Sequence, residues 1–136
     1  MYYYINGEYI NSKKASVPFS DAGFLYGDGL FETMRFDNRV IFNSENHLKR
    51  LLSGLKIINL NIKYNTSEIS KLLYRVIDKN KIDSGIIRLM ITRGITDNEI
   101  KDKLLPSIFI SIKPFYDIPT HPVKIVYLDE TKFPII

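Results

Sequence analysis

Hydrophobic residues along the chain follow two kinds of spacing, one typical of helices and the other of strands. Two segments have apolar residues three or four positions apart, and each begins after a candidate N-cap, Ser44 or Asn65. Glu68 follows Asn65 by three positions, which is the arrangement of a capping box. The predicted buried faces are Leu48, Leu51, Leu52, Leu55 and Ile58 in the first helix and Ile69, Leu72, Leu73, Val76 and Ile77 in the second.

Runs rich in β-branched and aromatic residues predict strands between these helices and on either side of them. Residues 2–5 and 8–10 flank an Asn-Gly dipeptide and therefore predict a hairpin. Pro18 makes a central strand at 17–19 unfavourable. Polar residues at 95–106 indicate a loop, and three prolines mark 114–122 as a linker. Further strands are predicted at 30–36, 39–42, 86–93, 108–112 and 123–128.

Composition narrows the class of protein. A chain of 136 residues with 45% hydrophobic and 25% charged residues can form one globular domain with a real core. It has no cysteine, which excludes a disulfide framework and a Cys-rich zinc site, and we predict no metal site. No apolar run reaches the ~18 residues of a membrane helix and no signal peptide is evident, so we expect a cytoplasmic protein. The net charge of +4 comes without a basic stripe, which argues against nucleic acid and suits small anions.

Two local features suggest a binding site. Three glycines, Gly23, Gly27 and Gly29, lead into the strand at 30–36, and glycine permits positive φ and close approach of a ligand. On the first helix, His47 and Arg50 lie three residues apart and so share a face, which lies off the leucine stripe. The guanidinium of Arg50 suits a phosphate or a carboxylate. The pattern alone also allows an ordinary connecting loop and a solvent-exposed helix flank.

Three motifs, in order, carry a family resemblance: GFLYGDGLFETMR at 23–35, HLKRL at 47–51 and IRLMITRG at 87–94. They resemble the class IV aminotransferases, the fold-type IV pyridoxal-phosphate enzymes. That family includes branched-chain and D-amino-acid aminotransferases and 4-amino-4-deoxychorismate lyases. The resemblance covers nearly the whole chain. It implies an α+β fold, a small N-terminal domain over 1–113 with a mostly antiparallel sheet and two helices packed on it. A linker at 114–122 and the start of a large C-terminal domain at 123–136 would follow.

The resemblance also implies roles for individual residues. Arg50 would bind the phosphate of pyridoxal 5'-phosphate, and His47, one turn earlier, would support it. Tyr26 and Phe31 match pocket aromatics that contact the substrate, with core packing as the alternative. Thr33 lies two residues after Phe31, hence on the same face of the strand.

Two arginines are candidates for the substrate carboxylate. Arg88 corresponds to the position used by the branched-chain enzymes and Arg93 to that of the D-amino-acid and lyase groups. They lie five residues apart, so a regular strand places them on opposite faces. The alternative for either is a strand-end charge that reaches solvent.

The family's Schiff-base lysine lies in a Lys-Ser-Leu-Asn-like motif early in the large domain, and this sequence contains no such motif. Lys124 and Lys132 lack that context. We therefore expect the chain alone to be inactive as a transaminase or lyase, to hold the cofactor poorly, and to form a homodimer or higher assembly through exposed interface surface.

The substrate stays open between an amino acid and an amino-chorismate, because residues 95–99 depart from the lyase pattern. The alternative function is a non-catalytic α+β domain that binds an anionic ligand or a partner protein.

Overall fold

The computed structural model of the protein describes residues 1–95, 105–115 and 121–126. Within them, six strands form one sheet in the order β2-β1-β6-β5-β3-β4, and all neighbouring strands are antiparallel. This confirms the predicted α+β fold with an antiparallel sheet. The strands are β1 (Tyr2–Ile5), β2 (Glu8–Asn11), β3 (Gly29–Asp37), β4 (Val40–Ile41), β5 (Gly85–Thr92) and β6 (Ser107–Pro114), and the helices are α1 (Ala22–Tyr26), α2 (Ser44–Ile57) and α3 (Thr66–Asn80).

The core lies between one face of the sheet and the two long helices, α2 and α3. We call this face of the sheet the inner face. All five predicted residues of α3 are buried, as are Leu48, Leu51 and Leu55 of α2, while Leu52 and Ile58 pack against the core partly exposed. The inner face contributes Met34 and Phe36 from β3 and alternate residues of β5 and β6. Because side chains alternate across a strand, Phe31, Thr33 and Arg35 lie on the opposite, outer face, which neither long helix covers.

The ends of the two long helices differ in how they are capped. The capping box at α3 is confirmed: the amide of Glu68 donates to Asn65 Oδ1 at 3.0 Å and the amide of Asn65 donates to Glu68 Oε2 at 2.8 Å. The prediction of Ser44 as N-cap of α2 was wrong, because Asn43 holds that position with a φ of 52° and makes no side-chain cap bond. Asparagine tolerates this left-handed conformation, and the chain needs it to turn sharply from β4 into the helix.

The remaining differences concern short elements. The predicted strand at 39–42 is reduced to β4, since Asn38 and Arg39 both take positive φ in the hairpin turn. Helix α1 was not predicted; Asp21 caps it by accepting a hydrogen bond from the amide of Gly23 at 2.9 Å.

The predicted strand at 123–128 is absent from its described part, residues 123–126, where Val123, Ile125 and Val126 are 71%, 74% and 68% exposed. A strand needs a neighbour for its backbone hydrogen bonds, and no described strand pairs with this segment. Much of the predicted loop (96–104), linker (116–120) and final segment (127–136) lies outside the described residues, so the domain boundaries stay predictions. No helix among the described residues is long and apolar enough to span a membrane.

Candidate functional site

A carboxylate lies on the inner face of the sheet, among apolar side chains. Glu32 lies on β3 two residues before Met34, which also faces inward, and Glu32 is only 5% exposed. A buried charge is costly unless partners supply hydrogen bonds and opposite charge. Its partners come from α2, which packs across this part of β3.

Arg50 and His47 of α2 both hydrogen-bond to Glu32, and we call these three residues the Glu32 cluster. Arg50 donates from Nε to Oε1 and from Nη2 to Oε2, each at 2.6 Å, which is a bidentate pair. His47 Nδ1 lies 2.7 Å from Oε2. Because an ionised carboxylate can only accept, the hydrogen on His47 lies on Nδ1. The 3.4 Å approach between His47 Nδ1 and Arg50 Nη2 is therefore a contact between two donors.

These contacts determine the charge of the cluster. The hydrogen bonds from Arg50 lower the pKa of Glu32, against the effect of burial, which raises it, and His47 adds to the lowering. Glu32 in turn raises the pKa of Arg50. The cluster therefore contains a carboxylate and a guanidinium that are both ionised at neutral pH.

Arg50 can still bind a ligand. Its side chain is 72% exposed although its Nε and Nη2 are bound to Glu32. Within residues 1–95, 105–115 and 121–126, no protein group accepts from its Nη1. The bidentate pair fixes the plane of the guanidinium, so its free edge has a defined orientation. A pre-oriented, exposed guanidinium of this kind fits a phosphate group.

Three of the predicted substrate residues lie together on the outer face, and we call them the outer-face cluster: Phe31, Thr33 and Arg88. Thr33 and Arg88 are direct cross-strand neighbours, and Arg88 Nε donates to Thr33 Oγ1 at 3.0 Å. The guanidinium carbon of Arg88 lies 5.2 Å from the centre of the Phe31 ring, a cation–π distance. Phe31 is 61% exposed, so this cluster is open to solvent.

Arg93 is bound elsewhere. It follows the last residue of β5, and its Nε and Nη2 donate to the carboxylate of Asp28 at 2.6 and 3.1 Å. It also donates to the backbone carbonyls of Ile58 at 2.9 Å and Asn59 at 3.3 Å. Arg88 and Arg93 therefore have different surroundings, but the prediction of opposite strand faces does not apply to Arg93, because β5 ends at Thr92.

An apolar cavity of about 400 Å³ lies beside the segment from Asp21 to Gly29, which contains Gly23 and Gly27 and which we call the glycine segment. Its walls include the aromatic rings of Phe24, Phe31 and Phe109. Gly29 allows β3 to approach β5, because a Cβ there would lie 2.6 Å from the carbonyl oxygen of Ile91. Gly27 takes a φ of 67° and ends α1 next to Tyr26, which is 73% exposed. The cavity falls within the size range of small-molecule pockets.

The sequence reasoning missed two charged residues of this region, Glu32 and Asp28. The sequence did contain a signal for Glu32. It lies at the same alternating positions of the strand as the apolar residues Met34 and Phe36, and a charged residue on a buried face requires a partner. Asp28 lies between two glycines, which is a context typical of a turn residue, and its ion pair with Arg93 spans 65 positions of sequence. In the part of the chain that the structure describes, no group of His, Cys, Asp or Glu side chains could hold a metal ion.

Comparison with known proteins gives a consistent result. The family model of Amino-transferase class IV matches residues 29–134. A D-alanine aminotransferase of Staphylococcus epidermidis is 30% identical over 129 residues, covering 95% of this chain and 40% of that protein. The structure of the Escherichia coli branched-chain amino acid aminotransferase matches with a TM-score of 0.75 at 26% identity, covering 84% of this chain and 40% of that one.

A second structure, the 4-amino-4-deoxychorismate lyase of Pseudomonas aeruginosa, matches with a TM-score of 0.67 at 25% identity, covering 88% of this chain and 41% of that one. The chain spans between 32% and 40% of the length of the D-alanine aminotransferases named among its matches. On the family match, which covers most of its residues, and on its fold, the chain belongs to the class IV aminotransferases.

Proposed function

We propose that this chain is the part of a pyridoxal 5'-phosphate-dependent aminotransferase that binds the cofactor phosphate and the substrate carboxylate. The observation that carries the proposal is Arg50, an exposed guanidinium whose orientation is fixed by a buried carboxylate. When bound, pyridoxal 5'-phosphate supplies an electron sink for carbanion chemistry at an amino acid. The family membership of the chain supports this cofactor.

Each member of the Glu32 cluster has a part in phosphate binding. Arg50 supplies the N–H donors and the positive charge. Glu32 holds the guanidinium in one plane, so that less side-chain freedom is lost when the phosphate binds. His47 donates from Nδ1 to Glu32. Among the described residues its remaining nitrogen, Nε2, has no protein partner, so it can accept or, when the ring is protonated, donate.

The outer-face cluster supports a role in substrate binding. Arg88 is the arginine to which we assign the substrate carboxylate, because its one described protein hydrogen bond goes to a neutral hydroxyl, that of Thr33. Phe31 contributes both to this cluster and to the wall of the apolar cavity, which suits a small amino-acid side chain. Tyr26 lies at the edge of the same glycine segment.

Relatives named as D-alanine aminotransferases at 30% identity or more favour transamination of a small amino acid over lyase chemistry. Turnover of 4-amino-4-deoxychorismate without an amino acceptor, in place of amino-group exchange between an amino acid and a keto acid, would assign the lyase activity instead.

Exposed aromatic side chains near the glycine segment support a homodimer as the working form. Phe19, Phe24 and Tyr26 are 77%, 63% and 73% exposed, and apolar groups of this kind in one region mark interaction surfaces. Light scattering at low micromolar concentration should give at least a dimer mass, and a monomer mass would contradict this part of the proposal.

The test of the proposed function is cofactor binding to the protein at the length its gene encodes. Pyridoxal 5'-phosphate is titrated against wild type and Arg50→Ala, with inorganic phosphate as competitor. We expect Arg50→Ala to weaken binding about 10- to 100-fold, as expected when a charge-assisted contact is lost. Lys49→Ala is the matched control, because Lys49 is a neighbouring cation on α2 whose one ion pair among the described residues is with Glu45. Equal affinity in the Arg50 and Lys49 variants would remove Arg50 from the phosphate site.

A further inference from the structure

The glycine segment is joined to the end of β5 by several hydrogen bonds. Asp21, fully buried, accepts from the hydroxyl of Thr92 at 2.9 Å. The amide of Ala22 donates to the carbonyl of Gly94 at 2.8 Å, and the amide of Arg93 donates to the carbonyl of Asp28 at 3.1 Å. The segment from Asp21 to Asp28 is therefore bound at both ends to residues at or just after the end of β5.

The guanidinium of Arg93 extends this connection to a third segment, the end of α2. Ile58 caps α2 and Asn59 follows it with a φ of 51°. Carbonyl groups at a helix end have no partner within the helix, and Arg93 donates to those of Ile58 and Asn59. The same guanidinium holds the carboxylate of Asp28 through two further bonds.

Arg93 thus has little capacity left for a substrate. An arginine has five N–H donors. Arg93 uses four of them on the three acceptor residues just named, and its side chain is 28% exposed. A substrate carboxylate could be bound by two parallel hydrogen bonds only by displacing Asp28 or by releasing the end of α2. Arg88, in contrast, donates one described hydrogen bond, to Thr33.

We propose that Arg93 is a positioning residue: it fixes α2, which carries His47 and Arg50, against the glycine segment that carries Tyr26 and leads into Phe31. This inference rests on the proposed function for the roles of Arg50 and Phe31. It also gives the two candidate arginines different roles. Arg88 binds the substrate, and Arg93 holds the phosphate-binding helix in position relative to the substrate pocket.

The geometry makes a specific demand on the side chain at this position. A lysine has a single ammonium and cannot span a carboxylate and two carbonyls with the planar fork that arginine provides. Arg93→Lys should therefore behave like Arg93→Gln. The matched control is Arg39, which also pairs with an aspartate, Asp83 at 2.9 Å, but lies at the β3–β4 turn and is half exposed.

The test combines hydrogen exchange with ligand binding, using the protein at the length its gene encodes. In both Arg93 variants, we expect the amides of Ala22, Ile58 and Leu60 to exchange about tenfold faster. Each of these amides donates a backbone hydrogen bond within or between the segments that Arg93 joins. Amides at the centre of β5, such as those of Ile87 and Leu89, should keep their protection. The affinity for pyridoxal 5'-phosphate should fall about three- to tenfold in both Arg93 variants and in neither Arg39→Lys nor Arg39→Gln.

Two results would overturn the proposal. One is unchanged exchange at Ala22, Ile58 and Leu60. The other is a rise in KM for the amino donor with unchanged exchange and cofactor affinity, which would make Arg93 a substrate ligand. If the Arg93 variants lose all protection, Asp28→Asn removes the same ion pair with little change of shape. Faster exchange confined to the three amides in Asp28→Asn then supports the proposal. Unchanged exchange at these amides in Asp28→Asn overturns it. A wild type that binds no pyridoxal 5'-phosphate would reject the proposed function, while the exchange result would still decide the role of Arg93.

Discussion

The two faces of β3 carry polar groups under opposite constraints. On the inner face, Glu32 is 5% exposed and accepts three hydrogen bonds of 2.6 to 2.7 Å from Arg50 and His47. On the outer face, one residue away in either direction, Phe31 and Thr33 are exposed and share one arginine, Arg88. A buried charge has to be fully paired, whereas an exposed group loses little when its protein partners are few. The inner cluster therefore contributes to both stability and orientation, while the outer cluster is free to serve a ligand.

The largest effect on folding should follow from changing Glu32. Glu32→Gln keeps the shape but replaces a charged acceptor by an amide whose NH2 faces other donors, so we expect a loss of about 2 kcal/mol in the free energy of unfolding. Thr33→Val is the matched change on the outer face and should stay within about 0.5 kcal/mol of wild type. Urea denaturation measures both. Similar losses in the two variants would mean that the faces of β3 do not differ in this way.

Changing Arg88 should have the opposite effect: it should weaken substrate binding and leave the stability of the fold unchanged. Under the proposed function, Arg88→Leu should raise KM for the amino donor about tenfold by removing the partner of its carboxylate, with cofactor affinity and urea midpoint unchanged. Steady-state kinetics with several donor concentrations provide the measurement. Arg35→Leu is the control, because Arg35 also lies on the outer face and its guanidinium lies over Phe115. An equal rise in KM for both variants would point to a general loss of positive charge.

Acid should reduce the contrast between the faces. Arg50 holds the pKa of Glu32 below its ordinary value of 4.5. The stabilisation from the ionised Glu32 is therefore complete above pH 4.5 and is lost as the pH falls through the lower pKa of the folded state. The stability gap between wild type and Glu32→Gln should therefore be widest near neutrality and narrow in acid. Urea midpoints across this range test the sign. A gap that widened in acid would show that folding raises the pKa of Glu32 instead of lowering it.

The smallest effect concerns how tightly α2 packs on the inner face. A Cβ at Gly54 would lie 2.6 Å from Cδ1 of Leu30, the far end of a side chain that can move. Replacing a helical glycine by alanine gains up to about 1 kcal/mol, so we expect Gly54→Ala to be more stable by about 0.5 kcal/mol after Leu30 adjusts. Ser53→Ala, on the exposed side of α2, controls for helix propensity alone. A clear loss of stability in Gly54→Ala would show that Leu30 cannot move.

The sequence by itself determined the features that depend on near neighbours. Both long helices, their buried faces, the capping box at Asn65 and the hairpin around Asn6 follow from spacing and turn chemistry within a few residues. The order of three motifs also indicated the family, and with it Arg50 as the candidate ligand of a phosphate. The errors at Ser44, at α1 and at 123–128 concern short segments, for which local preference is weak and the surroundings decide.

Only the tertiary structure decided which polar side chains meet. Glu32 and Arg50 are 18 residues apart, Thr33 and Arg88 are 55 apart, and Asp28 and Arg93 are 65 apart. Spacing along the chain does not specify such pairs; they depend on the packing of α2 against β3 and on the register of β3 with β5. Both Arg88 and Arg93 were candidates for the substrate carboxylate in the sequence. Their surroundings separate them, because Arg88 stands on an uncovered sheet face while Arg93 is enclosed between a carboxylate and the carbonyl end of a helix.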